Sequence, residues 1–138
     1  MKPVLLDSGV IVALLDRSES NHEACARIVR RLERPMVTCE AVIAESCFLL
    51  RRLKGASEVV MDNVTTGIFQ IPFQLSGATS GVRDCLRKYR DRRIDLADAC
   101  LICMAQEFAT GEILTLDGDF DIYRWSRNKP FRRLPEIG

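Results

Sequence analysis

"PVLLDSGVIVALL", residues 3–15, sets the reading of the whole chain. Residues 3–6 form a short apolar run that halts at Asp7, and a second apolar run, VIVALL, leads into the polar DRSESNHEA. A strand that feeds a helix through a brief turn opens a βα crossover. The pattern recurs downstream. Residues 20–33 carry apolar side chains at helical spacing, with Ser20 and Glu23 placed as a capping box. PMVT at 35–38 reads as a brief strand, CEAVIAESCFLLRRLK at 39–54 as a helix stopped by Gly55, and 56–67 as another helix. IFQIPF at 68–73 is an apolar strand with Pro72 near its end. A basic amphipathic helix over 77–92 follows, then an apolar helix over 94–109 and the strand EILTL at 112–116, closed by a turn at DGDF. The basic tail, YRWSRNKPFRRLPEIG, adds an edge strand.

Strands alternating with helices predict an α/β fold whose central sheet is mainly parallel and covered by helices on both faces. The 138 residues suit one domain, residues 1–138, with no repeat or linker; a chain of this size buries roughly 68–70% of its unfolded surface. The net charge of +1 excludes strong overall attraction to nucleic acid or anionic membrane and leaves local patches open. The apolar opening is broken by Asp7 and has only Lys2 before it, so it makes a poor export signal, and no run approaches the ~20 apolar residues of a membrane span. A cytoplasmic protein with six free thiols is expected. Cys100 and Cys103 have ligand-like spacing, but there is no second such pair and only one histidine, so a structural zinc is not expected.

Four carboxylates sit where apolar residues prevail. Asp7 and Asp117 end strands, at the sheet edge where ligands bind in this architecture. Glu45 shares a helical face with Val42, Phe48 and Leu49, and Asp98 with Ile94, Leu101 and Ile102. Two unit charges ~4 Å apart cost about 4 kcal/mol at an effective dielectric of 20. Several such pairs rival the whole stability of a domain, roughly 5–15 kcal/mol. A convergent cluster therefore calls for a cation or shared protons, and all-oxygen ligands favour Mg²⁺ or Mn²⁺. Such an ion lowers the pKa of a bound water and orients it for attack on a phosphodiester. Each acid also has a plain structural reading: Asp7 as a helix cap, Asp117 as a turn residue, Asp95 and Asp98 as complements to a helix dipole, Glu45 as a partner of Arg52.

VLLDSGVIVALLD (4–16), TCEAVIAESCFLL (38–50), DLADACLICMA (95–105) and ILTLDGDF (113–120), in this order and spacing, resemble the PIN-domain proteins, especially the small toxins of VapBC toxin–antitoxin pairs. The resemblance implies a three-layer α/β/α fold and a metal-dependent ribonuclease with four acidic residues in its site. Carried over singly, those positions fall on Asp7, Glu45, Asp98 and Asp117, with Asp7 and Asp98 the principal ligands of Mg²⁺ or Mn²⁺. Ser8 follows the first acid and either caps the helix or supports the site. Thr115 points to the same strand face as Asp117 and offers it, or a phosphate, a hydrogen bond. Asp119 is an outer ligand or a turn residue. Asp95 matches none of the four and faces solvent or the rim. The resemblance also implies an RNA substrate, an antitoxin partner and a homodimer.

Cationic groups should border an acidic site that holds RNA, and the candidates are Arg51, Arg52 and Lys54, the run RKYRDRR at 87–93, and Arg124, Arg127 and Lys129, with Arg51, Arg52, Arg87, Arg90 and Arg93 preferred. Tyr89, Tyr123 and Trp125 either stack on bases or pack in the core. His22, in a polar helix start, is a poor general base. A calcium loop at DGDFD fails because Ile122 occupies its glycine position and Asn128 its glutamate. Two other readings compete: a receiver-like phosphoacceptor domain, which lacks its acidic pair and late lysine here, and a catalytically silent metal- or RNA-binding module.

Overall fold

The first strand of the computed structural model, which describes residues 1–135, is β1 (Val4–Leu6), and none of its three side chains is exposed. A strand covered on both faces needs an unbroken apolar run rather than alternation, which VLL supplies. Asp7 ends it and N-caps α1 (Ser8–Leu15). There follow α2 (His22–Arg31), β2 (Met36–Val37), α3 (Glu40–Leu49), α4 (Ala56–Thr65), β3 (Phe69–Gln70), α5 (Thr79–Lys88), α6 (Leu96–Glu107), β4 (Glu112–Leu114), β5 (Arg124–Trp125), β6 (Lys129–Pro130) and β7 (Arg132–Leu134).

Five strands pair in the order β3-β2-β1-β4-β7, every pair parallel, while β5 and β6 form a separate antiparallel ribbon. The chain steps outward from β1 through β2 to β3 and then returns to place β4 on the other side of β1. The direction of winding thus reverses between β1 and β4, the point at which an open parallel sheet leaves a crevice beyond its carboxyl edge. The predicted α/β architecture with a parallel central sheet is the observed one.

Several boundaries differ from expectation. Asn21, not Ser20, precedes α2, and it makes no side-chain cap, so the capping box does not form. Helix α3 ends at Leu49, and Gly55, with φ of 78°, begins α4 instead of terminating α3. The basic helix expected over 77–92 stops at Lys88, followed by one 3₁₀ turn from Arg90 to Arg92, and Arg93 adopts the left-handed region at φ 55°. Helix α6 starts at Leu96 because Asp95 caps it, accepting a hydrogen bond from the Asp98 amide at 2.8 Å. The tail does add an edge strand, β7; its last three residues lie outside the described ones.

Tyr89 and Tyr123 belong to the core and are not available to stack on bases. Tyr123 meets Tyr89 and Phe120 edge-on at 4.9 and 5.0 Å between ring centres, and Phe120 meets Phe131 at 5.3 Å. Gly111 admits Trp125: a Cβ at that position would stand 2.3 Å from the indole nitrogen. His22 turns its ring to the Ala13 carbonyl at 2.7 Å. Among the described residues, no helix is long and apolar enough to cross a membrane.

Candidate active site

Asp7 leaves β1 at the switch point, and its extended backbone (φ −97°, ψ 161°) turns the carboxylate back over the start of α1. Its Oδ1 accepts from the Ser8 amide at 2.7 Å and its Oδ2 from the Thr115 hydroxyl at 2.6 Å. The second of these bonds crosses from β1 to the residue after β4, which the parallel pairing Leu6–Leu114 brings alongside. The same Thr115 oxygen accepts from the Asp117 amide at 3.0 Å, and Asp117 in turn accepts from the Asp119 amide at 2.9 Å. Thr115 therefore fixes two acids at once. Asp98 enters from the first turn of α6, and its Oδ2 accepts from the Tyr123 hydroxyl at 3.3 Å.

Among the described residues, Asp7, Asp98 and Asp117 each place a carboxylate oxygen within 4.8 Å of the other two. Asp7 is 5% exposed and Asp98 8%, whereas Asp117 is more open. Ion pairs form elsewhere, joining Arg34 and Arg132 to Glu112 and Arg133 to Asp121. No basic side chain of the described residues neutralises the trio. Burial, only partly offset by the bonds from Thr115 and Ser8, lifts Asp7 to about 6; Glu45 and Asp117 add to the rise. Burial and the fields of Asp7, Asp95 and Asp117 lift Asp98 to about 8. Burial and Asp98 push the Tyr123 hydroxyl up, which keeps it a donor.

Glu45 lines the same cleft, a space of about 270 Å³ walled also by Ser8, Gly9, Leu49, Asp95 and Leu116. Its carboxylate stands outside the trio and is joined to it through Ser8, whose hydroxyl donates to Glu45 Oε1. Ser8 is thus neither the helix cap nor a ligand in the trio but a link between two acids. Asp119 holds the turn that orients Asp117 and is not one of the three clustered acids. Asp95 is exposed at the rim. Arg51, Arg52, Arg87, Arg90 and Arg93 are exposed. Arg51 and Arg52 follow Leu49 of the cleft wall, with the Arg51 guanidinium held 4.0 Å over the Phe48 ring, and Arg90 and Arg93 lead into Asp95.

Two interactions leave little mark on the sequence. Tyr123 lies far along the chain from Asp98, and nothing in its local pattern marks a hydroxyl aimed at α6. The Asp95 cap has a visible signal, an Asp three residues before Asp98 at a helix start, but it competes with a helix drawn from Ile94.

This set of donors suits a hard divalent cation. Carboxylate oxygens of two buried acids and of the more open Asp117 face one another, and among the described residues neither a basic group nor a soft ligand joins them. Asp7, Asp98 and Asp117 are the residues that would hold such an ion.

Residues 4–125 match the family model described as PIN domain. The chain is 26% identical over 116 residues to ribonuclease VapC26 of Mycobacterium tuberculosis, covering 83% of this chain and 86% of that protein. In three dimensions it is similar to the crystal structure of M. tuberculosis VapC20, a toxin that cleaves the sarcin-ricin loop: TM-score 0.80, 17% identity, with 92% of this chain and 99% of that one covered.

Proposed function

The chain belongs to the PIN-domain family, and from that premise we propose that it is a divalent-metal-dependent endoribonuclease of the VapC toxin type, hydrolysing phosphodiester bonds in RNA. The observation that carries the reading is the trio Asp7, Asp98 and Asp117 at the sheet's switch point, mutually within 4.8 Å and without a counter-charge among the described residues. The ribonuclease and toxin activities of the two relatives support it.

Asp7, Asp98 and Asp117 would hold a Mg²⁺ or Mn²⁺ ion, which would supply Lewis acidity for the attack of water on the phosphodiester. The protein's own contribution is position. Thr115 holds Asp7 and Asp117 to one register, Tyr123 orients Asp98, and the cap at Asp95 fixes the first turn of α6. Glu45 lines the cleft, where it would hold a water, steadied by Ser8. The exposed Arg51, Arg52, Arg87, Arg90 and Arg93 would attract the strand's phosphates, countering the repulsion between RNA and a cleft rich in carboxylates.

The same reading gives the chain an antitoxin partner, a homodimeric state and a cytoplasmic location. Phe48 and Leu49 on α3 and Leu96 on α6, helices that also wall the cleft, expose apolar side chains, with Phe48 61% exposed, and such surface suits a protein partner.

Purified protein incubated with RNA tests the proposal. Cleavage should require Mg²⁺ or Mn²⁺, stop with EDTA, and be lost in Asp7→Asn and Asp98→Asn while both variants stay folded. Cleavage by the purified variants at the wild-type rate would remove the assignment. RNA bound but left intact under every metal would favour the silent module instead.

A further inference from the structure

Outside the carboxylate cleft, α5 and α6 bring two thiols together. The Sγ atoms of Cys85 and Cys103, eighteen residues apart in sequence, lie 3.9 Å from each other. We propose that Cys85 and Cys103 form a reversible disulfide when the protein meets a peroxide, a modification site distinct from the acidic cluster.

Geometry carries this. A disulfide requires an S–S length of about 2.05 Å and Cβ atoms roughly 3.5–4.5 Å apart. Two sulfurs already in van der Waals contact reach it by rotating their side chains, and each lies on a packed helix rather than a loop. Access is the second point. Cys85 and Cys103 are only part-buried, and Cys103 lines an open cavity of about 420 Å³ with Gly77, Ala78, Gly81 and Gln106, wide enough for a small oxidant. The protein's other close pair, Cys39 and Cys100, is more deeply buried, 2% and 1% exposed, and borders only a smaller cavity of about 170 Å³ with Phe73 and Leu75.

The two thiols are also unequal. The contact with the Cys103 sulfur and the ammonium of Lys88 one turn on hold the Cys85 thiol below its ordinary value, against burial and Asp84. Cys85 is the attacking sulfur. Its thiolate attacks one peroxide oxygen, the O–O bond breaks, the other oxygen leaves as hydroxide and takes a proton to become water, and Cys85 becomes a sulfenic acid. The Cys103 sulfur then attacks the Cys85 sulfur, the S–O bond breaks, and the departing oxygen leaves as a second water with the thiol proton. Two thiols are oxidised by two electrons and one peroxide is reduced to two waters. A dithiol reductant reverses the cross-link by exchange.

The full-length protein, treated with a small excess of hydrogen peroxide, alkylated and digested with trypsin, gives the test. Cleavage after Arg83 and Arg87 isolates residues 84–87 with Cys85, whereas Cys100 and Cys103 share residues 94–124, so fragmentation between them places the link. The expected result is an intact mass lower by two hydrogens, a cross-link from Cys85 to Cys103, and full reversal by dithiothreitol. Cys103→Ser should abolish the cross-link and leave a Cys85 sulfenic acid that dimedone traps, and Cys47→Ser should retain the cross-link. A Cys39–Cys100 link, only intermolecular links, or sulfinic acids with no Cys85–Cys103 cross-link in the wild-type protein would overturn the proposal.

Discussion

Asp98→Asn should make the metal-free protein more stable above neutral pH while abolishing cleavage. In the fold Asp98 is lifted to about 8 and Asp7 to about 6, both from an ordinary value of 3.8. A folded value above the unfolded one means that the native state keeps a proton the unfolded chain has released. Stability then falls as pH rises from about 4 and levels off only above the folded value, the reverse of a salt-bridged carboxylate. One proton of difference is worth about 1.4 kcal/mol per pH unit. Between pH 5 and 7 Asp98 sets a ceiling of about 3 kcal/mol, which water in the open cleft lowers to about 1–2. With unfolding entropy proportional to the 138 residues, 1 kcal/mol corresponds to about 3–4 °C, so the metal-free wild type should lose roughly 3–8 °C over that interval. Asp7 steepens the lower part, up to about pH 6. The assay is calorimetry in EDTA at pH 5, 6, 7 and 8 for wild type and Asp98→Asn, which keeps an acceptor for Tyr123 but carries no charge. The variant's Tm should be much flatter and should exceed the wild type's at pH 8. Mn²⁺ should raise the wild type at pH 8 more than the variant. Parallel curves for the two proteins, or a wild type that gains stability from pH 5 to 8 relative to the variant, would refute this reasoning.

Thr115→Val keeps the shape of the side chain but removes its bond to Asp7 and its acceptor for Asp117; a hydrogen bond to a charged group is worth about 1.5–3 kcal/mol, so denaturant unfolding should show a loss of that order together with slower cleavage. Gly111→Ala drives a Cβ into the Trp125 ring and should cost about 1–3 kcal/mol, a loss that the added change Trp125→Ala partly reverses in a double-mutant cycle. Reversing the charge at the exposed Arg52 should leave Tm nearly unchanged but weaken RNA binding, and the slope of log affinity against log salt should shrink by about 0.7 for each phosphate that is no longer neutralised.

The fold is legible in the sequence because its central strands, β1, β2 and most of β4, are buried on both faces. VLL and the apolar runs at 35–38 and 112–116 announce themselves without alternation, and Asp7 marks both the end of a strand and the start of a helix. Helix ends are less legible, since Gly55 fits a stop for α3 as well as it fits the left-handed start of α4, and only tertiary packing chooses. Four acids stand out in the sequence as misfits among apolar neighbours, and three of them meet. Glu45 looks like their equal because helical spacing reports the face a side chain shares but not how far its carboxylate reaches across a cleft; the structure interposes Ser8. Tyr123 is invisible for a related reason, since a bond between α6 and a residue in the turn before β5 leaves no trace in local periodicity.

Asp7 shows how the scaffold separates shape from charge. An ionised carboxylate offers about four lone-pair positions. Asp7 commits one to the Ser8 amide and one to the Thr115 hydroxyl, both supplied by elements that the sheet already fixes, which leaves two for the cleft. Those two bonds set its orientation without cancelling its charge, and burial then makes that charge costly beside Asp98 and Asp117. Had the fold placed an arginine against the trio, the cost would vanish, and with it much of the driving force for binding a cation. The rigidity of the site therefore comes from neutral donors, and its unrelieved negative potential follows from the absence of basic ones among the described residues. It follows that Asp7→Lys, which puts an ammonium into the trio, should disable metal binding more completely than Asp7→Asn, since it meets the electrostatic demand internally. Isothermal titration with Mn²⁺ distinguishes the two, and an Asp7→Lys protein that binds Mn²⁺ as tightly as Asp7→Asn would contradict this division of roles.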